Sequence, residues 1–349
     1  MKKAATIRDV AAQAGVSVSV VSRVLNDTGP VAPEKRAKVL AAIDALDYRP
    51  RAAARQLSQG ESSTIGLLLA DLANPFFARL ADRVVAEARS RELQILLMTT
   101  QEDPHLEAQA LDTLLDRSVG GLIGTPTGAN VERWEKLASL DIPVTFVDRA
   151  INGLAQVDVV SIENVESAAT ATAHLLARGH RRIGLVSGPL DTTTGFDRVR
   201  GYEQALQEHG VAPDDRLVRP VPFRGDRGAD VVAQMLGLDE PPTSLIVANT
   251  AQVRVVLRML FQARVSIPDD LSVVVFDDNP WTELIRPPLT AVRQPIDLLA
   301  LHAVELIHAR MRQKLAPGPR HVRVAAEFLE RASTARVRPV SNRSERPCQ

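Results

Sequence analysis

From Ile65 onward the chain alternates short apolar runs with longer amphipathic stretches, and it does so in two series. The first series is TIGLLLAD, LQILLMTT, VGGLIGTP and PVTFVD, with helical patterns between them that extend through Arg91, Arg117 and Leu140. The second is VDVVSI, RRIGLVSG, RLVRPVPF, SLIVAN and LSVVVFDD, each followed by a helical or loop segment. Short apolar runs separated by helical patterns are strands of a parallel sheet, because parallel neighbours need a long crossover and the crossover is usually a helix. Two series imply an α/β body of two parallel-sheet lobes rather than one sheet. Ligands of such sheets sit outside the carboxyl ends of the strands, so the residues just after each run are the ones that can bind.

Residues 6 to 47 follow a different rule and carry three short helical patterns. Thr6 can cap the first, and Asp9 three residues later imitates a capping box at the positive helix end. Val10, Ala11 and Ala14 form its apolar face, and Gly15 supplies the backbone freedom for a tight turn. Ser17 caps a second helix, Val18 to Leu25, which ends at a cluster of turn residues from Asn26 to Pro30. A third starts at Pro33 behind a poor cap, Ala32, and directs Val39, Leu40, Ile43 and Leu46 to a small core. After Tyr48 to Pro50 comes RAAARQLSQ, basic, alanine-rich and too short to hold a helix alone. Residues 50 to 61 therefore read as a hinge that orders only on binding, and the tail from about 335 to 349 as disordered.

Charge separates the same two regions. The chain is neutral as a whole, with 42 Lys/Arg and 42 Asp/Glu. Residues 1 to 60 nevertheless hold ten basic and five acidic residues, a surplus of five that leaves the remainder with an equal deficit. A nucleic-acid head on a neutral-to-acidic body has this asymmetry, and chance variation in surface charge is the alternative. The one cysteine, Cys348, excludes a disulfide framework and a Cys/His metal site. The N-terminus lacks the apolar core of a signal peptide and no run of 18 apolar residues occurs, so a cytoplasmic protein is expected. GxGxxG, GxxxxGK[ST], HExxH and GxSxG are all missing, and an enzyme is not expected. His302 and His308 stand too far apart to share a helical face as a ligand pair, and His174 and His180 bracket a helix end and read as caps.

TIRDVAAQAGVSVSVVSRVLN followed by YRPRAAARQL resembles the lactose-repressor (LacI/GalR) family of bacterial regulators. The likeness continues through ANPFF, LARGHRRIGLVSG, DRVRGY, FDD, PPLTAVRQP and ERAST, to about residue 334. It implies a helix-turn-helix DNA-binding domain over 1–49, the hinge over 50–61, and a periplasmic-binding-protein-like body over 62–334 that binds an effector and dimerises. Lobe 1 would take about 62–161 plus 292–320, and lobe 2 about 162–291 plus 321–334. The second helix of such a head enters the major groove, with Val18, Ser19 and Arg23 against base edges. Arg23 suits a bidentate contact to guanine and Val18 a thymine methyl. Thr6, Ser17, Ser22, Asn26 and Tyr48 match positions that contact phosphates. Val20 stands where the family is often polar, and it and Val24 read as core. In the hinge, Leu57 matches a minor-groove wedge and Ala54 and Arg55 its flanking contacts; without the family, Leu57 is an ordinary apolar linker residue.

The same resemblance implies an effector pocket between the lobes, built from Asp71, Phe76, Thr192, Thr194, Arg198, Phe223, Asn249, Asp277 and Gln294. Acceptors, a forked donor and aromatic faces suit a polyhydroxylated ligand, a sugar or sugar derivative, with no further cofactor. Read singly, Asp277 and Asp278 can cap a helix and either phenylalanine can be core. Two departures bear on the pocket: Asn249-Thr250 stands where the family commonly has Asn-Asp, and Val275 where glycine is frequent. The resemblance implies a transcriptional regulator, a repressor, working as a homodimer or higher assembly on a palindromic operator in double-stranded DNA, with no membrane partner. The alternative is a periplasmic-type sugar-binding protein, which needs a signal peptide and no basic head.

Overall fold

The computed structural model describes residues 5–26, 29–48, 62–151, 153–154, 156–316 and 318–337. Its internal contacts divide the chain after Ser62 into two units, each described by itself. The expected hinge, with Ala54, Arg55 and Leu57, lies outside the described residues, as does the tail from 338.

In the first unit α1 spans Ile7–Ala14, α2 Val18–Asn26 and α3 Pro33–Ala45. Thr6 and Asp9 form a reciprocal capping box, and Gly15 ends α1 at φ 64°, a left-handed conformation that favours glycine. The expected poor cap is real: Ala32 makes no side-chain bond to α3. Val10, Ala11, Ala14, Val21, Val24, Val39, Ala42 and Tyr48 make the core. Leu40 is a correction, since it is 52% exposed. It follows Val39 by a single residue, 100° around a helix, and cannot share the buried stripe.

The second unit holds two six-stranded sheets. In the first lobe β1 (Thr64–Leu69), α4 (Pro75–Arg89), β2 (Gln94–Thr99), α5 (Pro104–Asp116), β3 (Gly121–Gly124), α6 (Val131–Ser139), β4 (Val144–Val147) and β5 (Asp158–Ile162) alternate as expected. The chain then builds the second lobe from α7 (Asn164–Ala177), β6 (Ile183–Ser187), α8 (Thr193–Glu208), β7 (Val218–Pro220), α9 (Arg227–Leu236), β8 (Ser244–Val247), α10 (Thr250–Gln262), β9 (Ser272–Phe276) and β10 (Thr290–Arg293). It returns for α11 (Ile296–Met311) and β11 (His321–Val324), then crosses again for β12 (Glu327–Leu329). Strand orders are β11-β5-β4-β3-β1-β2 and β12-β10-β9-β8-β6-β7, with every recorded pairing parallel except β10 with β12. The interior strands β1 and β6 are apolar almost throughout because helices cover both faces of each sheet.

The sheets shift two expected boundaries and regroup one run, while the expected end of the first segment of lobe 1 at about 161 stands. VDVVSI, read with the second series, joins the first sheet as β5, residues 292–293 belong with β10 in the second, and 321–324 pair in parallel with β5 in the first. The crossings thus fall at 162–164, 293–296 and 324–327. Residues 335–337, expected to be disordered, are held: Ala335 N donates to Ser272 Oγ at 3.0 Å and Val337 N to Arg178 O at 3.0 Å. His174 and His180 are part of that fastening rather than caps. Their rings meet Thr334 Oγ1 at 2.9 Å and Ala335 O at 3.0 Å, and burial holds both below the usual histidine range, His174 near about 4.

Candidate effector site and DNA-binding surface

A cavity of about 40 Å³ opens between the carboxyl ends of the two sheets, room for only a few water molecules. Lobe 1 contributes Asp71 after β1, Phe76 in the first turn of α4, and Asp148 and Arg149 after β4. Asn74 caps α4 by accepting from Phe76 N at 3.1 Å, which sets the ring's place in the wall. Lobe 2 contributes Thr194 and Arg198 from α8, Phe223, Asn249 before α10, Asp277 after β9 and Gln294 after β10. Thr192 is absent from the wall. Its hydroxyl caps α8 by accepting from Gly195 N at 3.2 Å and donates to Pro189 O at 2.7 Å. Gly195 is required there, because a Cβ would stand 2.0 Å from Pro189 O.

Arg198 is buried and preoriented: Nε donates to Asn164 Oδ1 at 2.9 Å, Nη1 to Ala248 O at 2.8 Å, and the guanidinium lies 4.3 Å from the centre of the Phe276 ring. Burial lowers its pKa and raises that of Asp277. Asp148 is pushed up to about 6, chiefly by burial, against the pull of Arg149 and Arg198. Thr194 Oγ1, Asn249 Nδ2 and Gln294 Oε1 are buried in this wall without a hydrogen-bond partner. An acceptor, a donor and a hydroxyl left unpaired together are costly unless a ligand or water completes them.

Side chains reach across the cleft as well. Arg149 is bonded to Glu102 at 2.6 Å and Pro126 O at 2.7 Å within lobe 1, and stacks 4.7 Å over Phe223 of lobe 2. Arg224 of lobe 2 pairs with Asp71 at 3.1 Å and donates to Gln101 O at 3.1 Å. Among the described residues no cluster of three His, Cys, Asp or Glu is placed to hold a metal ion, and no helix is long and apolar enough to cross a membrane.

On the head, Ser17, Val18, Ser19 and Arg23 are exposed along the start of α2, Val18 by 40%. Val21 and Val24 are buried beneath them and Val20 is half-buried. Ser17 Oγ and Ser19 Oγ are 2.8 Å apart, and Thr6 Oγ1 donates to Asp9 at 2.7 Å. Ser22 is half-buried and Asn26 ends the helix. Tyr48, expected at phosphates, is 9% exposed and packs in the head core.

Residues 6–51 match the family model for bacterial regulatory proteins of the lacI family, and residues 172–334 that for a periplasmic binding protein-like domain. The HTH-type transcriptional regulator DegA of Bacillus subtilis is 32% identical over 83% of this chain and 87% of its own. The ribose operon repressor of Escherichia coli is 31% identical over 94% and 99%. The chain belongs to the lacI family.

This lacI-family regulator also superposes on the lac repressor dimer solved with operator and the anti-inducer ONPF, at 25% identity and a TM-score of 0.80, covering 95% of this chain and 100% of that one. Its relatives are transcriptional regulators rather than enzymes, and the head and body together set aside the sugar-binding transport alternative. Of the nine residues expected at the effector site, the fold brings eight into one wall and leaves out Thr192. Glu102, Asp148, Arg149 and Arg224 were not foreseen. Asp148 had a signal, since it ends the run PVTFVD and so occupies a strand-end position. Arg224 and Glu102 had none, because only the folded chain sets their loops face to face.

Proposed function

We propose that this regulator is a cytoplasmic homodimer that represses by occupying a palindromic operator, and that the interlobe cavity takes a sugar or sugar derivative as the effector that tunes operator affinity. The observation that carries the effector site is the set of three unpaired atoms, Thr194 Oγ1, Asn249 Nδ2 and Gln294 Oε1, in one buried wall. Hydroxyl groups both donate and accept, so a polyol answers all three, while Phe76 and Phe223 offer faces to its carbon skeleton. The names of the ribose operon repressor and of the lac repressor complex with an anti-inducer favour the same class. The DNA-reading surface is Val18, Ser19 and Arg23, exposed and facing away from the head core, with Thr6, Ser17, Ser22, Asn26 and Tyr48 as phosphate neighbours. Ala54, Arg55 and Leu57 serve as the minor-groove contacts.

Thermal-shift screening of the full chain against sugars, purines and their phosphates identifies the effector, and a titration of labelled operator then tests both surfaces. Arg23→Ala loses about 1 to 3 kcal/mol of discrimination while retaining affinity for random DNA; equal loss on random DNA counts against a reading role. Arg198→Ala removes the effector's influence, a coupling of about 1 to 3 kcal/mol, and leaves effector-free operator binding near wild type. A full effector response in Arg198→Ala means that the pocket is misassigned.

A further inference from the structure

Thr250 opens α10, but its hydroxyl does not serve that helix. The cap is Asn249, whose Oδ1 accepts from Ala251 N at 3.0 Å. Thr250 Oγ1 donates instead to Asp277 Oδ2, and Gln294 Nε2 donates to Asp277 Oδ1 at 2.6 Å. Both oxygens of Asp277 are therefore answered from within the protein, and the amide that answers one of them turns its own Oε1 into the cavity unpaired.

Asp148 holds the corresponding place in the other lobe. It follows β4 as Asp277 follows β9, and both take left-handed backbone, φ 73° and 68°. Yet Asp148, 8% exposed and in the same wall, receives no side-chain hydrogen bond from any described residue. The groups that face it are Arg149, Arg198, Asp277 and Glu102, and those that face Asp277 are Arg198 from α8, Arg79 from α4, Gln294 and Thr250. A buried carboxylate without donors is costly in the empty site, and the raised pKa of Asp148 has that origin. An aspartate at 250 would place a second carboxylate against Asp277 where this chain places a donor.

We propose that Thr250 selects which of the two carboxylates meets the effector: by completing the bonds of Asp277 it makes that residue a fixed support for Gln294 and leaves Asp148 as the carboxylate that accepts from the bound molecule. This rests on the effector reading of the cavity, and it makes Thr250 a positioning residue.

The test needs no effector. In the full-length protein, carboxyl-carbon NMR titrations follow Asp148 and Asp277, and thermal unfolding is measured across pH in the same variants. In Thr250→Val, Asp277 titrates about one pH unit higher than in wild type while Asp148 does not move, and Thr250→Ser restores the wild-type curve. A merely structural role for Thr250 would lower the melting temperature equally at every pH and leave both titrations in place. Asp148→Asn melts about 3 °C higher than wild type at pH 8, because it removes a buried charge that has no donors. That gain shrinks as pH falls through about 6, where wild-type Asp148 takes up its proton in the fold, and is gone only near the unfolded value of 3.8. Asp277→Asn melts lower than wild type, because the amide keeps an acceptor for only one of the two donors and sets its own NH2 against the other.

The proposal is overturned if Asp277 titrates alike in wild type and Thr250→Val, if Thr250→Ser behaves as Thr250→Val, or if Asp148→Asn and Asp277→Asn shift stability in the same direction. None of those results touches the unpaired atoms of the cavity. The effector reading falls only on its own test, a full effector response in Arg198→Ala.

Discussion

The two lobes share one topology and use it differently. Strand for strand, β1 to β5 in the first sheet correspond to β6 to β10 in the second, and each fourth strand ends in an aspartate with left-handed backbone. In lobe 2 the residues after that strand turn inward. Asp278 accepts from Arg331 at 2.7 Å, from Arg293 at 2.8 Å and from Thr282 at 2.6 Å, all within its own lobe. In lobe 1 the equivalent residue is Arg149, and it reaches over the cleft to Phe223. One wall is thus completed at home and the other partly by the opposing lobe. A rigid wall can hold unpaired atoms in place for a ligand, and a wall that borrows contacts must change when the cleft opens.

The largest test of that contrast is Asp278→Ala. Arg331 is only 15% exposed, and removing its partner leaves a charge with little water, so the variant is expected to lose about 3 kcal/mol and to melt several degrees lower. Burial alone would raise the Asp278 carboxyl, but hydrogen bonds from Arg331, Thr282 and Arg293 prevail and hold it near about 2. A depressed pKa contributes stability that is present above the unfolded value of 3.8 and is lost as pH falls through the folded one. The gap between wild type and variant therefore narrows from pH 4 toward pH 2 in thermal melts. A gap independent of pH would show that the ion cluster is not what makes lobe 2 rigid.

A smaller effect is expected at Gly188, which ends the strand run opposite Arg149. A Cβ there would lie 2.5 Å from the Phe223 ring, so Gly188→Ala must push the ring off its place and weaken the stack with Arg149. The cost is about 1 kcal/mol, because Phe223 is half-buried on a loop and can swing aside. A double-mutant cycle separates this from backbone strain: in a Phe223→Ala background Gly188→Ala costs nothing if the ring is its only obstacle. A cost that persists would locate the strain in the chain around Gly188 instead.

What the sequence made legible follows from how local each signal is. Strands β1 to β9 were readable because each falls in a short, mostly apolar run between helical patterns, even where, as in β5 and β7, a polar residue interrupts it. β10, β11 and β12 were not, since TAVR lies between prolines, HVRV alternates over only four residues, and EFL is too short to show a period. The eight expected wall residues follow strand ends, begin helices or match the family in order, and those are relations along the chain. Arg149, Arg224 and Glu102 act through partners 23 to 153 residues away, which no local pattern encodes. Thr250 falls between these cases: it is visible as a departure from Asn-Asp, but what it does requires knowing that Asp277 stands against it.

The smallest effect bears most directly on how a borrowed wall lets go. Arg224 is 46% exposed and its partner Asp71 19%, so their 3.1 Å pair is screened by water and salt and contributes under about 1 kcal/mol. Arg224→Ala should hardly move the melting temperature. The same energy weighs more on an equilibrium between closed and open clefts, where about 1 kcal/mol changes the ratio roughly fivefold. Asp71 also accepts from Ala73 N at 2.9 Å, so losing the arginine leaves its turn capped and lobe 1 intact. Amide exchange around Gln101, whose backbone oxygen Arg224 also holds, should accelerate about fivefold in the variant at low salt. Raising the ionic strength above 0.5 M should bring wild type up to the variant, because exposed pairs are screened within a few ångströms there. If the two proteins exchange alike at low salt, the arginine at the cleft mouth is ornamental and closure rests on Arg149 and Phe223 alone.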